Sequence, residues 1–258
     1  MQYLEALTVC VGYDDFLAIG LDRWRHNVDR LIVVTTPQDD QTLALCDHND
    51  VTAHTTNAFY GGDAAFNKGL AIEEARTRWG QNDWLLFFDA DIIPPADFRE
   101  QLQNTILQPG RLYGPWRRQC DTNELLATVM QSDTWDLSAL PLVSDGEMAG
   151  YFQLFHATDP RLPDRNALWM DTQWPHAGGY DSRFQARWPR RLHSRLPFEV
   201  VHLGPHGTNW HGRVSQRWDG MAVKSTGGLT AKESQAAHDR MLAARRQGQK
   251  ARHERIKG

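Results

Sequence analysis

Asp89 and Asp91 stand two residues apart in the segment 84–95, which reads Trp-Leu-Leu-Phe-Phe-Asp-Ala-Asp-Ile-Ile-Pro-Pro. Two carboxylates this close repel one another unless a cation sits between them. Hard oxygen donors of this kind suit Mg2+ or Mn2+. On an extended backbone, positions i and i+2 face the same side. Both acids would then reach one ion, and that ion would hold a diphosphate. An Asp-x-Asp tripeptide alone is expected by chance about once in a chain of this length, so its setting decides its weight. The five apolar residues 84–88 show no polar alternation, which predicts a central parallel strand covered on both faces. Ligands bind beyond the carboxyl ends of such strands, and Pro94-Pro95 stops the segment there.

The elements that must position these acids follow from the pattern on either side. Residues 7–11, 29–35 and 51–55 read as strands, and 16–27, 42–49 and 66–79 as helices. Strands alternating with helices predict an α/β fold, a Rossmann-type, mostly parallel sheet flanked by helices. Beyond residue ~110 the character changes. Residues 111–115 and 150–156 look like strands in an irregular half that holds Trp116, Trp135, Trp169, Trp174, Trp188, Trp210 and Trp218. These indoles serve either as core or as stacking platforms for sugars or bases. The expected organisation is one domain over 1–230, with halves 1–110 and 111–230, and a basic helical tail over 231–258.

Composition bounds the rest. A chain of 258 residues that is 41% hydrophobic supports a sizeable core. No apolar stretch approaches the ~20 residues that span a bilayer. The first residues lack the basic region of a signal peptide. Cys10, Cys46 and Cys120 are odd in number and far apart, which points to a reduced, cytoplasmic protein without a disulfide framework. The tail carries eight Lys/Arg and three acids, a net +5 against −9 for the remainder. It reads as a solvated helix or as a contact for nucleic acid.

The pairing of Phe66-Asn67-Lys68 with Asp89-Ala90-Asp91-Ile92-Ile93-Pro94 resembles the β-1,4-galactosyltransferases, in which Phe-Asn-Arg opens a helix and Asp-Val-Asp-Leu-Ile-Pro follows the next strand. Gly178-Gly179-Tyr180-Asp181 is similar to that family's Gly-Gly-Glu-Asp, without its further acids. In overall length the chain resembles small bacterial and phage glycosyltransferases of the GT-A type. The resemblance covers most of residues 5–215.

The resemblance implies a metal-dependent glycosyltransferase that moves a sugar from a nucleotide-sugar, a UDP-sugar, to an acceptor hydroxyl with inversion. Asp91 and His202 would ligate Mn2+ (or Mg2+), with imidazole tilting the preference to Mn2+. Asp89 would reach the metal through water, or the ribose. Residues 198–202 read as a strand-like run ending in His202, and His206 is the alternative to it. Asp181 would be the general base, and a helix N-cap is the competing reading. Val11, Gly12, Tyr13, Asp14, Thr36, Phe66, Lys68, Ala90 and Arg213 would face the donor, with Tyr13 on the base and Arg213 on phosphate. Gln153, Gly179 and Trp210 would face the acceptor, a saccharide, a protein or a hydroxylated base of DNA. A nucleotidyltransferase and a non-catalytic nucleotide-sugar-binding module are the competing functions. The first of these wants a Gly-rich basic loop where the sequence has Gly12-Tyr13-Asp14-Asp15.

Overall fold

The computed structural model describes residues 3–80, 83–130, 135–143, 150–174, 176–205, 209–210 and 212–223, with isolated helical positions 236, 239, 240 and 243 in the tail. His206, His211 and nearly all of the basic tail lie outside the described residues.

The chain begins with β1 (Leu4–Val9), α1 (Asp14–Asn27), β2 (Arg30–Thr35), α2 (Asp40–His48) and β3 (Thr52–Thr55). A 3-10 turn, Ala58–Asp63, leads into α3 (Lys68–Arg76) and β4 (Trp84–Asp89). Then come β5 (Ile92–Ile93), α4 (Phe98–Gln103), β6 (Leu112–Cys120), α5 (Asn123–Met130), β7 (Leu142–Val143) and β8 (Phe152–His156). The last elements are α6 (Tyr180–Gln185), a 3-10 turn at Arg190–Leu192 and β9 (His193–Leu203). All form one nine-stranded sheet in the order β3-β2-β1-β4-β8-β6-β9-β5, with β7 pairing β6. Strands β3, β2, β1 and β4 are mutually parallel, and β6 and β9 run the same way. Strands β8, β5 and β7 are antiparallel to their neighbours. The α/β architecture and the mostly parallel sheet are as the sequence predicts.

The unalternating strands have a simple cause. In β4, Trp84, Leu86 and Phe88 enter one core with Leu4, Ala6, Val33 and Trp24. Leu85 and Phe87 enter the opposite core with Leu7, Ile32, Val34 and Phe155. Successive residues of β4 therefore bury on opposite faces, and both cores select apolar side chains there. Trp24 of α1 is wholly buried, stacks on Phe88 at 3.9 Å between ring centroids and donates its indole N–H to Ile92 O at 2.9 Å.

Several boundaries differ from expectation. The first strand begins at Leu4 rather than residue 7, because Leu4 and Ala6 are core residues. The helix expected from residue 66 starts at Lys68, since Asn67 is its cap and accepts the Leu70 N–H at 2.9 Å. The expected strand 111–115 runs on to Cys120, and 198–202 is the end of an eleven-residue strand. These two strands pair in parallel along their length, with a register shift between Gly114 and Trp116. No helix among the described residues is long and apolar enough to cross a membrane.

Replacing Trp24 with Ala is expected to destabilise the fold by about 3–5 kcal/mol, the cost of a large cavity with a lost buried hydrogen bond. Equilibrium urea denaturation measures this. The control, Ile106→Ala at a side chain 86% exposed, should stay within about 0.5 kcal/mol.

Candidate active site

Strand register does most of the assembly. Val9 of β1 pairs with Asp89, so the carboxyl ends of the two strands lie side by side. The chain leaves β4 at Asp89, turns through Ala90-Asp91 and returns as β5. There Ile92 pairs with His202 of β9, and Leu203 donates its N–H to Asp91 O at 2.9 Å. His202, 113 positions from Asp89 in sequence, is thereby set beside Asp91, with Nε2 at 3.8 Å from Asp91 Oδ1. The backbone at Asp91 is a turn, so the two acids do not act as one extended i, i+2 pair. Asp89 Oδ1 instead accepts from Lys68 Nζ at 2.7 Å.

Lys68, in the first turn of α3, also reaches Asp181 Oδ1 at 3.2 Å, and its side chain is 11% exposed. Burial works against its charge, but Asp181 and Asp89 outweigh that and raise its pKa. Asp181 lies in the first turn of α6. Burial pushes its carboxyl up to about 6, Lys68 opposes the rise, and Asp89 adds to it. Asp91 is deeper. Burial first, and the Asp89 charge second, push it up to about 8. Its Oδ1 is buried without a hydrogen-bond partner among the described residues.

These groups line one cavity of about 220 Å3, together with Val9, Val11, Tyr13, Arg117 and Trp210. Of the residues singled out in the sequence, Phe66, Ala90, Gly179 and Arg213 also line it. Four do not. Gly12 and Asp14 are turned to structural work: Gly12 donates its N–H to Asp39 Oδ2 at 2.7 Å, and Asp14 takes both Nη atoms of Arg217 at 2.7 Å. Thr36 is fully buried outside the lining. Gln153 sits behind Asp181, donating Nε2–H to Asp181 O at 3.2 Å, so it props the loop rather than facing an acceptor. Arg213 lines the wall, but its guanidinium grips both carboxylate oxygens of Asp15 and the Gly12 carbonyl. As it stands, that hand is not extended to a phosphate.

Two residues that the pattern did not flag matter here. Arg117 is 4% exposed, lies 4.8 Å from the Tyr151 ring centroid and lowers the Asp91 pKa by its charge. Gly150 is pressed on Asp181: a Cβ there would fall 1.8 Å from Asp181 Cβ and 2.3 Å from Oδ2. A glycine before a strand is a usable signal for close approach, whereas a lone arginine inside a strand is not.

A divalent ion would find two protein donors, Asp91 and His202. Among the described residues no group of three or more His, Cys, Asp or Glu side chains gathers to hold one. An orphaned buried carboxylate beside an imidazole fits an ion whose shell is completed by water and phosphate oxygens, the usual habit of Mg2+ and Mn2+ at nucleotide sites. The residues present fit the group.

No protein-family model matches the sequence, and no curated protein matches it. Solved structures similar in fold include mannosyl-3-phosphoglycerate synthase from Rubrobacter xylanophilus, at 16% identity over 80% of this chain and 68% of that one, with a TM-score of 0.48. Glucosyl-3-phosphoglycerate synthase from Mycobacterium tuberculosis, in complex with Mn2+, uridine diphosphate and glucosyl-3-phosphoglycerate, shares 15% identity over 78% of this chain and 70% of that one, with a TM-score of 0.43. 4-Diphosphocytidyl-2C-methyl-D-erythritol synthase from Anaerococcus prevotii shares 13% identity over 93% and 98%, with a TM-score of 0.42. These are likenesses of architecture.

Two outcomes follow. The Asp91 carboxyl, raised when folded, binds a proton that the unfolded chain has already released between about pH 4 and pH 8. Without metal, its contribution to stability is therefore largest at the acid end and falls as pH rises through that window. Thermal melts of wild type and Asp91→Asn at pH 5 and pH 8 should show the fall shrinking in the variant, and Mn2+ should stabilise only wild type, more at pH 8. Separately, Gly150→Ala should shift Asp181 and cost about 1–3 kcal/mol of stability through overpacking, read by urea denaturation.

Proposed function

We propose that this chain is a metal-dependent glycosyltransferase that moves a sugar from a nucleotide-sugar, a UDP-sugar, to an acceptor hydroxyl with inversion. The observation that carries the reading is the convergence of Asp181 and the Asp91–His202 pair on one cavity. Leaving-group neutralisation and acceptor deprotonation are separate tasks in such a reaction, and the cavity supplies a separate group for each.

A divalent ion held by Asp91 and His202 would neutralise the departing diphosphate. The remaining work falls to side chains. Tyr13, at the wall next to Val11, offers a ring for the nucleobase. Lys68 adds a positive charge between the donor side and the base. Asp181 accepts the proton of the acceptor hydroxyl. A carboxyl raised to about 6 is mostly ionised at neutral pH yet more basic than an ordinary aspartate, which suits a general base. Trp210, 51% exposed at the wall, offers a face to the acceptor.

The loop after β1 speaks against nucleotidyl transfer. Residues 10–13 contain no basic side chain, and Asp14 and Asp15 just beyond them bind arginines. The buried carboxyl of Asp181, raised to about 6, also speaks for turnover over mere binding.

Asp181→Asn keeps the size of the side chain and removes the base. It should bind UDP with Mn2+ within about threefold of wild type and lose roughly 10²–10⁴-fold in turnover of UDP-sugar with acceptor. Turnover within about threefold of wild type would remove Asp181 from this role. Asp91→Ala should abolish the Mn2+-dependent thermal stabilisation by UDP. An unchanged Mn2+ dependence would displace the metal from this corner of the cavity.

A further inference from the structure

The described residues 209–210 and 212–219 carry almost no regular structure, only an isolated bridge between Trp210 and Gly212. Yet they form one wall of the cavity through Asn209, Trp210, Gly212 and Arg213. Something other than a sheet or helix must hold them.

At one end the hold is ionic and buried. Arg213 binds Asp15 with both Nη atoms, Nη2 at 2.9 Å from Oδ2, and donates to Gly12 O at 2.8 Å. Its guanidinium lies over the rings of Tyr13 and Phe16, at 4.9 and 4.5 Å from their centroids. The side chains of Arg213 and Asp15 are 2% and 3% exposed. Arg217 binds Asp14 with both Nη atoms and also Asp219. Trp218 donates its N–H to Asp15 Oδ2 at 2.9 Å and meets the Phe16 ring edge-on at 4.9 Å. The first turn of α1 is thus the anchor for the segment.

The other end lies on the loop that presents Asp181. Ala177 donates its N–H to Trp210 O at 2.8 Å. The Trp210 indole rests on Gly178 so closely that a Cβ there would fall 2.7 Å from the ring. On the far side, Trp174 donates its indole N–H to Gly178 O. Between the ends, Asn209 accepts the N–H groups of Val214 and Ser215 at 2.9 and 3.1 Å and donates its amide to Ser215 Oγ at 2.9 Å. One short segment therefore touches the anchor, the Tyr13 wall and the glycine loop before Asp181.

We propose that residues 209–210 and 212–219 act as a strap that ties the α1 N-terminus to the Gly178–Gly179 loop, and that Asp15 is a positioning residue: through Arg213 it seats Trp210 on Gly178 and so fixes the segment leading to Asp181. Asp15 does not line the cavity. A fully buried bidentate pair is costly to break on one side, because the remaining arginine is left uncompensated. Loss of Asp15 should therefore free the strap rather than let it relax in place. The effect on turnover rests on the reading of Asp181 as the base; the mechanical tie does not.

Hydrogen exchange of the ligand-free protein tests the tie. Asp15→Asn should speed exchange at Ala177 and the loop 177–180 by at least about fivefold, together with 212–219, while β4 keeps wild-type protection. Faster exchange confined to 212–219 would overturn the proposal. Arg213→Lys, which keeps the charge and loses the fork, is the milder second variant should Asp15→Asn unfold, and it should show the same pattern with smaller amplitude. The functional arm is a double-mutant cycle in kcat/KM between Asp15→Asn and Trp210→Phe. Distant sites without a shared partner add; a common strap predicts that the second change costs less than threefold once the first is present. Additive losses would refute the positioning role. If no variant and no wild type turns over any UDP-sugar, the functional reading falls, and the exchange experiment still decides the tie.

Discussion

Three carboxylates, Asp89, Asp91 and Asp181, are drawn out of water into one cavity, and that gathering is unfavourable unless positive charge stands among them. Lys68 supplies it to two of the three. Its position in the first turn of α3 is set by the Asn67 cap, whose side chain also donates to Thr172 O at 2.7 Å. The helix start, the strand end and the α6 loop are therefore indexed to one ammonium group. Asp91 lies beyond its direct reach, and burial first, with the Asp89 charge second, raises its carboxyl to about 8. A divalent ion is the natural complement, and Arg117 offsets only part of the deficit.

How much of this was legible in the sequence depends on the range of the interaction involved. The α/β class followed from runs such as 84–88, because residues buried on both faces of a sheet cannot alternate. Asp89, Asp91, Lys68 and Asp181 were legible as types at spacings, and the structure brings them to one cavity. His202 was legible as a strand end, though its place beside Asp91 rests on the β5–β9 register, which no local pattern encodes. The pairs Arg213–Asp15 and Arg217–Asp14 were not legible at all. Partners about 200 positions apart leave no periodicity, and Asp14, next to a predicted nucleotide loop, looked like a ligand contact instead. The same reasoning explains Gln153, whose polar end suggested a contact with the acceptor substrate but donates instead to Asp181 O.

Glycines mark where backbone and functional side chains crowd. Gly150 and Gly178 each have a named side chain lying where a Cβ would be, one a carboxylate and the other an indole. The site is thus shaped by atoms that are missing as much as by charges that are present, and its tolerance to substitution should be lowest at residues with no chemistry of their own.

The placing of β9 has a consequence for how the protein comes to be made. Among the described residues, Ile92 and Ile93 have no strand beside them in the sheet but β9, where their partners are residues 202 and 201, more than a hundred positions later. On the ribosome, the early parallel block of β1 to β4 can consolidate while the segment after Asp91 waits with its backbone groups unpaired. Such long-range closures are slow and leave strand edges open to wrong partners. The corner that would hold a cation is thus among the last parts of the molecule to form, because Asp91 meets His202 only once β9 has been made.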